Sequence, residues 1–389
     1  TNAINRALAS PVPIFIGLIS YSLYLWHWPV LTLSRYYRDG YSGLGETAAW
    51  ILLSILLAVL SWRFIERPFR SNPKSSFWRT LLIVALASAT AAGFGAYAYL
   101  TDGAPNRFRP EARVHIAATG DFLQDWSRCE TRLDGPFAGI ETCAIGPDGP
   151  PEVRAWGDSH ARAYMDGIAT AATETTTSGL LIWHAGCPPV FDLVKQETAA
   201  TPAQDRACQI ATEGLRNALP NMKSLKRILL IGRWNYYVTG QGVGLDANNK
   251  IILHTPETVA PAQPQHLLFG SALTRTVADL RDLGTTVYIL RQTPEIPMYD
   301  SRRVARALAH GAMTPKITAS FKASLSDLTL RGKDADKVLA ALRDQGEINL
   351  IDPWPLLCTN DTCSVMRGDH PIYFDNNHLT NTGAMALRR

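Results

Sequence analysis

The sequence predicts an α-helical membrane segment with three transmembrane helices, followed by a three-layer α/β/α domain built on a parallel sheet. Three apolar stretches within the first hundred residues predict the membrane segment. From residue 151 onward, short β-branched runs alternate with helical stretches, which is typical of a parallel sheet covered on both faces. All six cysteines lie beyond the third apolar stretch, which indicates an exported domain.

The three apolar stretches cover residues 13–34, 47–65 and 78–100, and each is long enough to cross a bilayer, which takes about 20 residues. The third is rich in alanine, so by itself it could also be a helix of a soluble core. The segment 63–79 is strongly basic and holds one acid, Glu66. Because cytoplasmic loops carry an excess of Lys and Arg, this segment is predicted to be cytoplasmic and the chain beyond the third stretch extracytoplasmic. The basic residues are Arg63, Arg67, Arg70, Lys74 and Arg79.

The cysteines favour disulfides, because their number is even and the domain is predicted to be exported. Pairing each cysteine with the next one in sequence would close three short loops, although other arrangements are open. A zinc site is the alternative, but the chain has no Cys-x-x-Cys pair, and no metal ligand is predicted. The cysteines are Cys129, Cys143, Cys187, Cys208, Cys358 and Cys363.

Residues 101–150 are rich in Pro, Gly and Asp and are predicted to form an extracytoplasmic linker. Short apolar runs follow, separated in the later part by helical stretches at 266–283 and 335–345. Strands that alternate with helices predict parallel pairing, and sites in such folds gather at the carboxyl ends of the strands. The runs are 152–156, 180–186, 227–234, 285–292 and 348–354.

Two short motifs stand at opposite ends of this domain. The sequence GDSH (157–160) follows the first predicted strand, where glycine allows a sharp turn that presents the serine at the start of a helix. Asp375 lies three residues before His378 in FDNNHLT, so one turn can bring a base and its orienting carboxylate together. Each motif has a structural alternative, because Asp and Ser commonly cap helices and a buried histidine can lie beside a surface aspartate.

Together, and in this order, the two motifs resemble those of the SGNH hydrolase family, which has its serine in a GDS block and its base and carboxylate in a C-terminal DxxH block. The resemblance implies a flavodoxin-like SGNH fold with about five parallel strands for residues 151–389. It also implies that Ser159 is the nucleophile, His378 the base and Asp375 the partner of that base.

The same resemblance implies three donors for an oxyanion hole: the serine amide, a glycine amide after the second strand and an asparagine in a G-x-N block after the third. The amides of Ser159 and Gly186 fit the first two. The third block reads GRWN, so Trp234 occupies the asparagine position and Asn235 comes one residue late. The third donor is therefore the departure from the family pattern.

The N-terminal part has a resemblance of its own. SYSLYLWHWP (20–29) and the later RFIERPFR look like the last helices of the acyltransferase-3 family, integral membrane enzymes that move acyl groups onto surface polysaccharides. In some members, O-antigen acetyltransferases among them, an extra helix leads to an SGNH domain. The implied organisation is acyltransferase-3 helices at 1–70, the extra helix at 71–100, the linker at 101–150 and the SGNH domain at 151–389. Since the chain begins with Thr1 almost inside the first apolar stretch, we expect further transmembrane helices upstream.

His27 is a polar residue inside the first apolar stretch. It is expected either to face the interior of a larger helix bundle or to lie in an interfacial belt with Trp26 and Trp28. It is not expected to be the family's conserved membrane histidine, which belongs to the upstream helices. Glu66 and Arg67 are expected to brace the cytoplasmic ends of the helices.

The resemblances imply an O-acyltransferase of the bacterial inner membrane that acetylates an envelope polysaccharide such as O-antigen. The expected acyl donor is acetyl-CoA, with no bound cofactor, and the expected partners are the polysaccharide acceptor, the membrane and the upstream helices, without nucleic acid. Two alternatives stay open. The same residues could make a carbohydrate O-acetylesterase, or the domain could be a non-catalytic carbohydrate-binding or assembly module.

Overall fold

The chain divides into two units, Thr1–Arg107 and Phe108–Arg389. A computed structural model describes residues 3–38, 40–71, 77–131, 133, 141–258, 263–311 and 313–388. The first unit is helical, and the second combines helices with a central sheet. This succession of a helical unit and an α/β unit is the one that the sequence predicts.

Three helices in the described residues are long and apolar enough to cross a membrane: Pro11–Arg38, Leu44–Arg70 and Phe77–Leu100. The second is continuous because a π-helical turn at Trp62–Glu66 joins two α-helices. They confirm the three predicted spans, while Lys74 of the predicted cytoplasmic segment lies outside the described residues. The α-helices are α1 (Ala3–Leu8), α2 (Pro11–Arg38), α3 (Leu44–Ser61), α4 (Arg67–Ser71) and α5 (Phe77–Leu100).

Glu66 joins two of these helical segments. Its carboxylate accepts a hydrogen bond from Ser22 Oγ of α2 at 2.9 Å and lies 3.1 Å from Arg70 Nη2. The Glu66 side chain is 12% exposed, and Ser22 is buried. Arg67, beside it, places its guanidinium 5.9 Å from the ring centre of Trp62. These contacts lie where the expected brace would be, and the role of Glu66 and Arg67 stays a prediction.

His27 bonds within its own helix. Its Nδ1 lies 2.8 Å from the carbonyl oxygen of Tyr24 and 3.1 Å from that of Leu23. Trp26 and Trp28 on either side are 36% and 66% exposed in this unit. Both expectations for His27, a bundle interior and an interfacial belt, therefore stay predictions.

The second unit is built on a seven-stranded sheet in the order β1-β2-β4-β3-β6-β8-β10. Its strands are β1 (Cys129–Thr131), β2 (Glu141–Ile145), β3 (Val153–Gly157), β4 (Gly179–Trp183), β6 (Arg227–Ile231), β8 (Thr286–Leu290) and β10 (Asn349–Ile351). Small antiparallel pairs outside it use β5 (Val194–Glu197) with β7 (Ile251–His254), β9 (Lys322–Ser324) with β11 (Thr362–Ser364), and β12 (Met366–Arg367) with β13 (His370–Pro371).

Helices connect the strands. They are α6 (Pro110–Gly120), α7 (Ser159–Ala163), α8 (Met165–Glu174), α9 (Pro202–Ala218), α10 (Trp234–Thr239), α11 (Gln265–Asp282), α12 (Ser301–His310), α13 (Pro315–Ala319), α14 (Leu325–Asp344), α15 (Trp354–Leu357) and α16 (Asn381–Ala386). The strands β4, β3, β6, β8 and β10 pair in parallel, and each coincides with one of the predicted runs. The predicted helix 266–283 is α11, and 335–345 covers the second half of α14.

The sheet lies between two helical layers because successive side chains of a strand point to opposite faces. In β6, Ile228 and Leu230 pack with α9, α11 and α14, whereas Leu229 and Ile231 pack with α6, α12 and α16. Burying one such side chain contributes about 2 kcal/mol, so the central strand is stabilised from both sides. The result is the predicted three-layer α/β/α arrangement.

The region between residues 108 and 150 is more ordered than its prediction as a linker implies. Residues Pro110–Gly120 form α6, whose Ala112 packs into the core, and β2 pairs antiparallel with β4 at the sheet edge. Among the described residues, the Pro, Gly and Asp from which the linker was predicted lie largely between these elements. The α/β unit therefore begins upstream of residue 151.

The six cysteines form three disulfides, each between neighbours in sequence. One joins the paired strands β1 and β2, one ties the turn after β4 to α9, and one closes a short loop after α15. The pairs are Cys129–Cys143, Cys187–Cys208 and Cys358–Cys363. This is the sequential pairing that the sequence analysis favoured.

Candidate active site

A sharp turn at the carboxyl end of β3 presents Ser159. Gly157 ends the strand, and a Cβ there would lie 2.0 Å from the carbonyl oxygen of Ile231 on β6, so a larger residue does not fit. Asp158 caps α7 by accepting a hydrogen bond from the backbone N–H of His160 at 2.7 Å. Ser159 is therefore the first residue of α7, where backbone N–H groups have no partner inside the helix.

The structure brings Ser159, His378 and Asp375 together in one line. His378 Nε2 lies 2.8 Å from Ser159 Oγ, and His378 Nδ1 lies 2.8 Å from Asp375 Oδ2. Asp375 Oδ1 also accepts from the backbone N–H groups of His378 at 2.7 Å and Asn377 at 3.0 Å. These backbone bonds form the turn that the Asp-x-x-His spacing predicts, and they fix the carboxylate against the ring.

The carboxylate of Asp375 is held in its ionised form. Burial raises its pKa, but the attraction of His378 and the hydrogen bonds from His378 and Asn377 lower the pKa more, so it lies well below its usual range. An ionised carboxylate accepts the Nδ1 hydrogen and leaves Nε2 as the basic nitrogen. The arrangement can thus withdraw a proton from the serine hydroxyl.

A second Asp–His pair lies behind the first. Asp158 Oδ1 is 3.2 Å from His160 Nδ1, while Oδ2 accepts from Tyr237 Oη at 2.6 Å and from the backbone N–H of Arg233 at 2.8 Å. The rings of His160 and His378 lie 4.7 Å apart, centre to centre. The buried carboxylate therefore joins the loops after β3 and β6 to α10.

The protonation states of this second pair follow from burial and from the contacts of its two members. Burial lowers the pKa of His160, and the attraction of Asp158 opposes that only in part, so the ring is neutral at pH 7. For Asp158, burial raises the pKa, but His160 and the hydrogen bonds from Tyr237 and Arg233 lower it further, so the carboxyl is ionised. Sequence reasoning considered helix capping by the Asp of GDSH, which Asp158 performs, but missed its pairing with His160.

Two backbone N–H groups can form an oxyanion hole. Those of Ser159 and Gly186 have no acceptor in the part of the chain that the structure describes, and both residues line the same cleft. Gly186 has φ +62°, a backbone conformation that residues with a Cβ rarely adopt, which explains a glycine at this position. This placement agrees with the expectation for both residues, whose role as donors stays a prediction.

Trp234 and Asn235 are not in the cleft, which corrects the expectation that one of them is a third oxyanion donor. Trp234 is buried, and its indole N–H already donates to the carbonyl of Leu290 at 2.7 Å. The backbone N–H of Asn235 donates to Gln292 Oε1 at 2.8 Å, and its side chain faces Gly332 on α14. Because α10 begins at Trp234, both side chains turn toward the helical layer instead of the strand edge.

Arg233 reaches the cleft instead. Its guanidinium donates to Glu295 Oε1 at 2.6 Å and to Asp246 Oδ2 at 2.5 Å. Burial lowers the pKa of Arg233, but the two carboxylates raise it more, so the guanidinium stays charged. Asn376, next to Asp375, donates to Asp246 at 2.9 Å, so this ion-pair network also supports the loop that carries the base.

The segment 121–124, directly after α6, closes the site from the region that was predicted to be a linker. The ring of Phe122 stacks on Phe374 at 4.4 Å and meets the ring of His378 edge-on at 5.5 Å. The backbone carbonyl of Asp121 accepts from the N–H of Asn381 at 2.9 Å. This segment therefore contacts the base directly.

Gln124 links the two halves of the site. Its Oε1 accepts from Arg162 Nε at 3.0 Å, and its Nε2 donates to Asn381 Oδ1 at 3.0 Å. Arg162 lies three residues after Ser159, and Asn381 lies three residues after His378. No motif in the sequence marks Gln124 or Phe122, because their contacts with Asn381 and His378 span more than two hundred residues.

The cleft has a volume of about 370 Å³ and contains the Ser159, His378 and Asp375 side chains together with Gly186 and Arg233. Among the described residues, no group of three or more His, Cys, Asp or Glu side chains is placed to hold a metal ion. The chemistry that this arrangement supports is acyl transfer through a serine ester.

Comparison with known proteins identifies a family and several relatives. The family model described as "SGNH domain (fused to AT3 domains)" matches residues 128–389. O-acetyltransferase OatA of Staphylococcus aureus strain MRSA252 is 39% identical over 84 residues, 19% of this chain and 14% of OatA. OatA of strain NCTC 8325 is 38% identical over the same shares. The chain thus spans a small part of the length of these curated relatives.

Among solved structures, the periplasmic domain of the lipopolysaccharide acetyltransferase of Salmonella ser. Paratyphi A aligns with a TM-score of 0.41 and 16% identity. The alignment covers 62% of this chain and 82% of that domain. The segment 121–124 lies upstream of the residues that the family model matches.

Proposed function

The chain belongs to the family of SGNH domains that are fused to AT3 domains, and on that basis we propose that it is part of an O-acyltransferase of the cell envelope. Its reaction would move an acyl group onto a hydroxyl of an envelope polysaccharide such as O-antigen, and the proposed acyl group is acetyl. The names of the OatA relatives support acetyl as the group. Acetyl-CoA is the proposed source of the acetyl group.

The line of hydrogen bonds from Ser159 through His378 to Asp375 is the observation that carries this proposal. Ser159 Oγ would attack the acyl carbonyl while its proton passes to His378 Nε2. The leaving group departs with that proton, and the acyl group stays on Ser159 as an ester.

The second half of the reaction would run the same steps with the acceptor. His378 Nε2 takes the proton of a sugar hydroxyl, the hydroxyl oxygen attacks the serine ester, and the proton then returns to Ser159 Oγ. Both tetrahedral intermediates carry a negative oxygen. The N–H groups of Ser159 and Gly186 would stabilise that oxygen by roughly 3 kcal/mol each.

Other features support the proposal that this chemistry takes place at a membrane surface. Three helices could span a membrane, and three disulfides favour an oxidising compartment for the α/β unit. We infer that the α/β unit is extracytoplasmic, in bacteria the periplasmic side of the inner membrane. Upstream helices are the proposed route by which the acyl group reaches the α/β unit.

An esterase is the second candidate, because water and a sugar hydroxyl compete for one serine ester. The His378 and Asp375 side chains are 18% and 25% exposed, so water can reach the ester. A purely carbohydrate-binding domain is less favoured, since binding alone does not require a serine, a histidine and a carboxylate in line.

The test is hydrolysis of 4-nitrophenyl acetate by the purified chain in detergent, followed by mass spectrometry of the Ser159 peptide. We expect turnover and an acetylated Ser159, and no turnover from Ser159→Ala. Ser326→Ala, an exposed serine on α14, is the matched control and should act as wild type. A wild-type chain without turnover, or an active Ser159→Ala variant, would contradict the proposal.

Transfer is separated from hydrolysis by adding envelope polysaccharide and measuring base-labile acetyl groups on it. An acetylated polysaccharide that depends on Ser159 supports the transferase. Release of acetate alone, at any polysaccharide concentration, supports the esterase.

A further inference from the structure

A second cavity, of about 700 Å³, adjoins the reactive cleft. It lies along the strand pair β5 and β7 and the first turns of α9, outside the main sheet. Glu197 and Ala200 line both the cavity and the cleft, so the two spaces are neighbours. A molecule that reacts at Ser159 can therefore extend into the second cavity.

The acidic groups of this cavity are Glu197 and Asp205, and the buried Lys195 is paired with both of them. Lys195, whose side chain is 1% exposed, lies 2.7 Å from Glu197 Oε2 and 3.1 Å from Asp205 Oδ1. Tyr236 Oη donates to the other oxygen of Glu197 at 3.0 Å. The Glu197 carboxylate is thus fixed at the boundary between the two spaces, and the one ammonium group of Lys195 offsets one of the two carboxylate charges.

The basic groups of the cavity are not balanced in the same way. Arg206 on α9 and Lys250 before β7 are exposed and line the cavity, and neither side chain has an acidic partner in the part of the chain that the structure describes. His254 also lines it, with Nδ1 2.9 Å from the carbonyl of Thr255. Three cationic side chains therefore face two carboxylates among the described lining residues, so the net charge of the cavity is positive.

The remaining surface suits a sugar. Val194 and Ile252 supply apolar area, and the amides of Gln196 and Gln209 supply polar groups. A sugar ring presents C–H faces and hydroxyls together, which such a mixed surface can bind. A carboxylate or phosphate on the sugar would complement Arg206 and Lys250, because Arg matches planar or tetrahedral anions and Lys acts as a point charge.

We propose that this cavity binds an anionic sugar unit of the acceptor, one that carries a carboxylate or a phosphate, while the hydroxyl to be acylated lies at Ser159. The identity of the ligand as acceptor rests on the proposed function. Binding itself does not, since it needs no reaction.

The experiment measures binding to the full chain with Ser159→Ala, in detergent, by calorimetry. The probes are a galacturonate trimer, mannose 6-phosphate and the neutral maltotriose. We expect at least one anionic probe to bind tenfold or more tightly than maltotriose, and to weaken as NaCl is raised. The anionic probe that binds distinguishes a carboxylate from a phosphate.

The charge variant carries Arg206→Gln and Lys250→Gln on this background, and it should lose at least tenfold in affinity for the anionic probe. Lys223→Gln with Arg275→Gln, two exposed cations outside the cavity, is the matched control and should bind as the parent does. Arg206→Glu, which adds a repelling charge at an exposed position, should weaken binding further.

Equal binding of anionic and neutral probes, absence of binding by both anionic probes, or unchanged affinity in the charge variant would overturn this proposal. None of these results bears on ester hydrolysis by Ser159. Conversely, a chain that binds the anionic probe but never hydrolyses 4-nitrophenyl acetate would overturn the proposed function and leave the binding site standing.

Discussion

Two Asp–His pairs lie side by side at Ser159. They consist of the same residue types but differ in burial and in hydrogen-bond partners. In the outer pair, the Asp375 and His378 side chains are 25% and 18% exposed, and Nε2 of His378 lies 2.8 Å from Ser159 Oγ. In the inner pair, Asp158 and His160 are 1% and 2% exposed, and His160 Nε2 has no hydrogen-bond partner in the described residues.

The difference shows that surroundings, not residue types, separate a reactive pair from a supporting one. The inner carboxylate also bonds Tyr237 and the N–H of Arg233, so removing it would loosen two loops at once. Among the described residues, the outer carboxylate bonds only the turn that carries its histidine. We therefore expect the outer pair to govern rate and the inner pair to govern stability.

The largest effect is expected from breaking the outer pair. His378→Ala should lower kcat for 4-nitrophenyl acetate by about 10⁴-fold or more, because no other base reaches Ser159 Oγ in the described structure. His160→Ala is the comparison and should retain most of kcat if it folds, as judged by its thermal unfolding. Equal losses in two folded variants would show that both histidines take part in proton transfer.

The two aspartates should separate rate from stability. Asp375→Asn should lower kcat by about 10²- to 10⁴-fold, because an amide disturbs the tautomer of His378, with little change in unfolding. Asp158→Asn should lower the free energy of unfolding by about 3 kcal/mol, because the amide leaves buried donors without an acceptor. The test measures kcat and the free energy of unfolding in urea for both variants. Identical profiles for the two variants would remove the distinction.

A smaller effect is expected from the segment 121–124. Gln124→Ala should lower kcat by about tenfold and leave KM unchanged, because it frees Arg162 and Asn381 to shift relative to each other. Leu123→Ala, a 76% exposed neighbour, is the matched control and should have no effect. An equal change in both variants, or a change in KM alone, would contradict a positioning role for Gln124.

The smallest effect is a pH dependence of stability. Burial lowers the pKa of His115 to about 4, and its Nδ1 has no partner in the described residues, whereas His160 has Asp158. In the unfolded chain a histidine binds its proton near pH 6.5. The unfolded state then binds more protons below pH 6.5, so the free energy of unfolding should fall from there toward pH 4.

Urea unfolding at pH 7.5, 6 and 5 checks this expectation. His115→Phe, which keeps a ring against Phe321, should make the decline between pH 6 and 5 shallower, while His160, whose pKa is also lowered by burial, keeps part of it. His266→Phe, an exposed histidine on α11, should leave the decline as in wild type. A decline of unchanged slope in His115→Phe would mean that other groups cause it.

Regular patterns made much of this molecule predictable. The apolar stretches predicted the spans, and alternating runs predicted the five parallel strands, because burial on both faces of a sheet leaves a continuous apolar signature. The two motifs located Ser159, Asp375 and His378, since each lies next to a turn with its own residue requirements. The structure places all three within hydrogen-bond distance.

The remainder depends on contacts that no local pattern records. The position of Trp234 suggested a substitute donor, but the start of α10 turns its ring inward. Phe122 and Gln124 lie in a stretch whose Pro and Gly content predicted a linker, and their partners are far along the chain. The inner pair was adjacent to the serine in sequence, yet its burial followed only from packing against Tyr237 and Arg233.

The hydrogen bonds at the site join residues that are far apart in sequence, and this affects how the chain folds. The residues in contact at Ser159 and His378 are 219 positions apart, and those at Gln124 and Asn381 are 257 apart. Contacts of such sequence separation form late, because the entropy of closing a long loop must be overcome before they stabilise anything. Reactivity should therefore appear only in the last stage of folding, after the sheet is assembled. Partly folded intermediates would be inert toward esters, so recovery of 4-nitrophenyl acetate turnover during refolding should lag behind recovery of secondary structure.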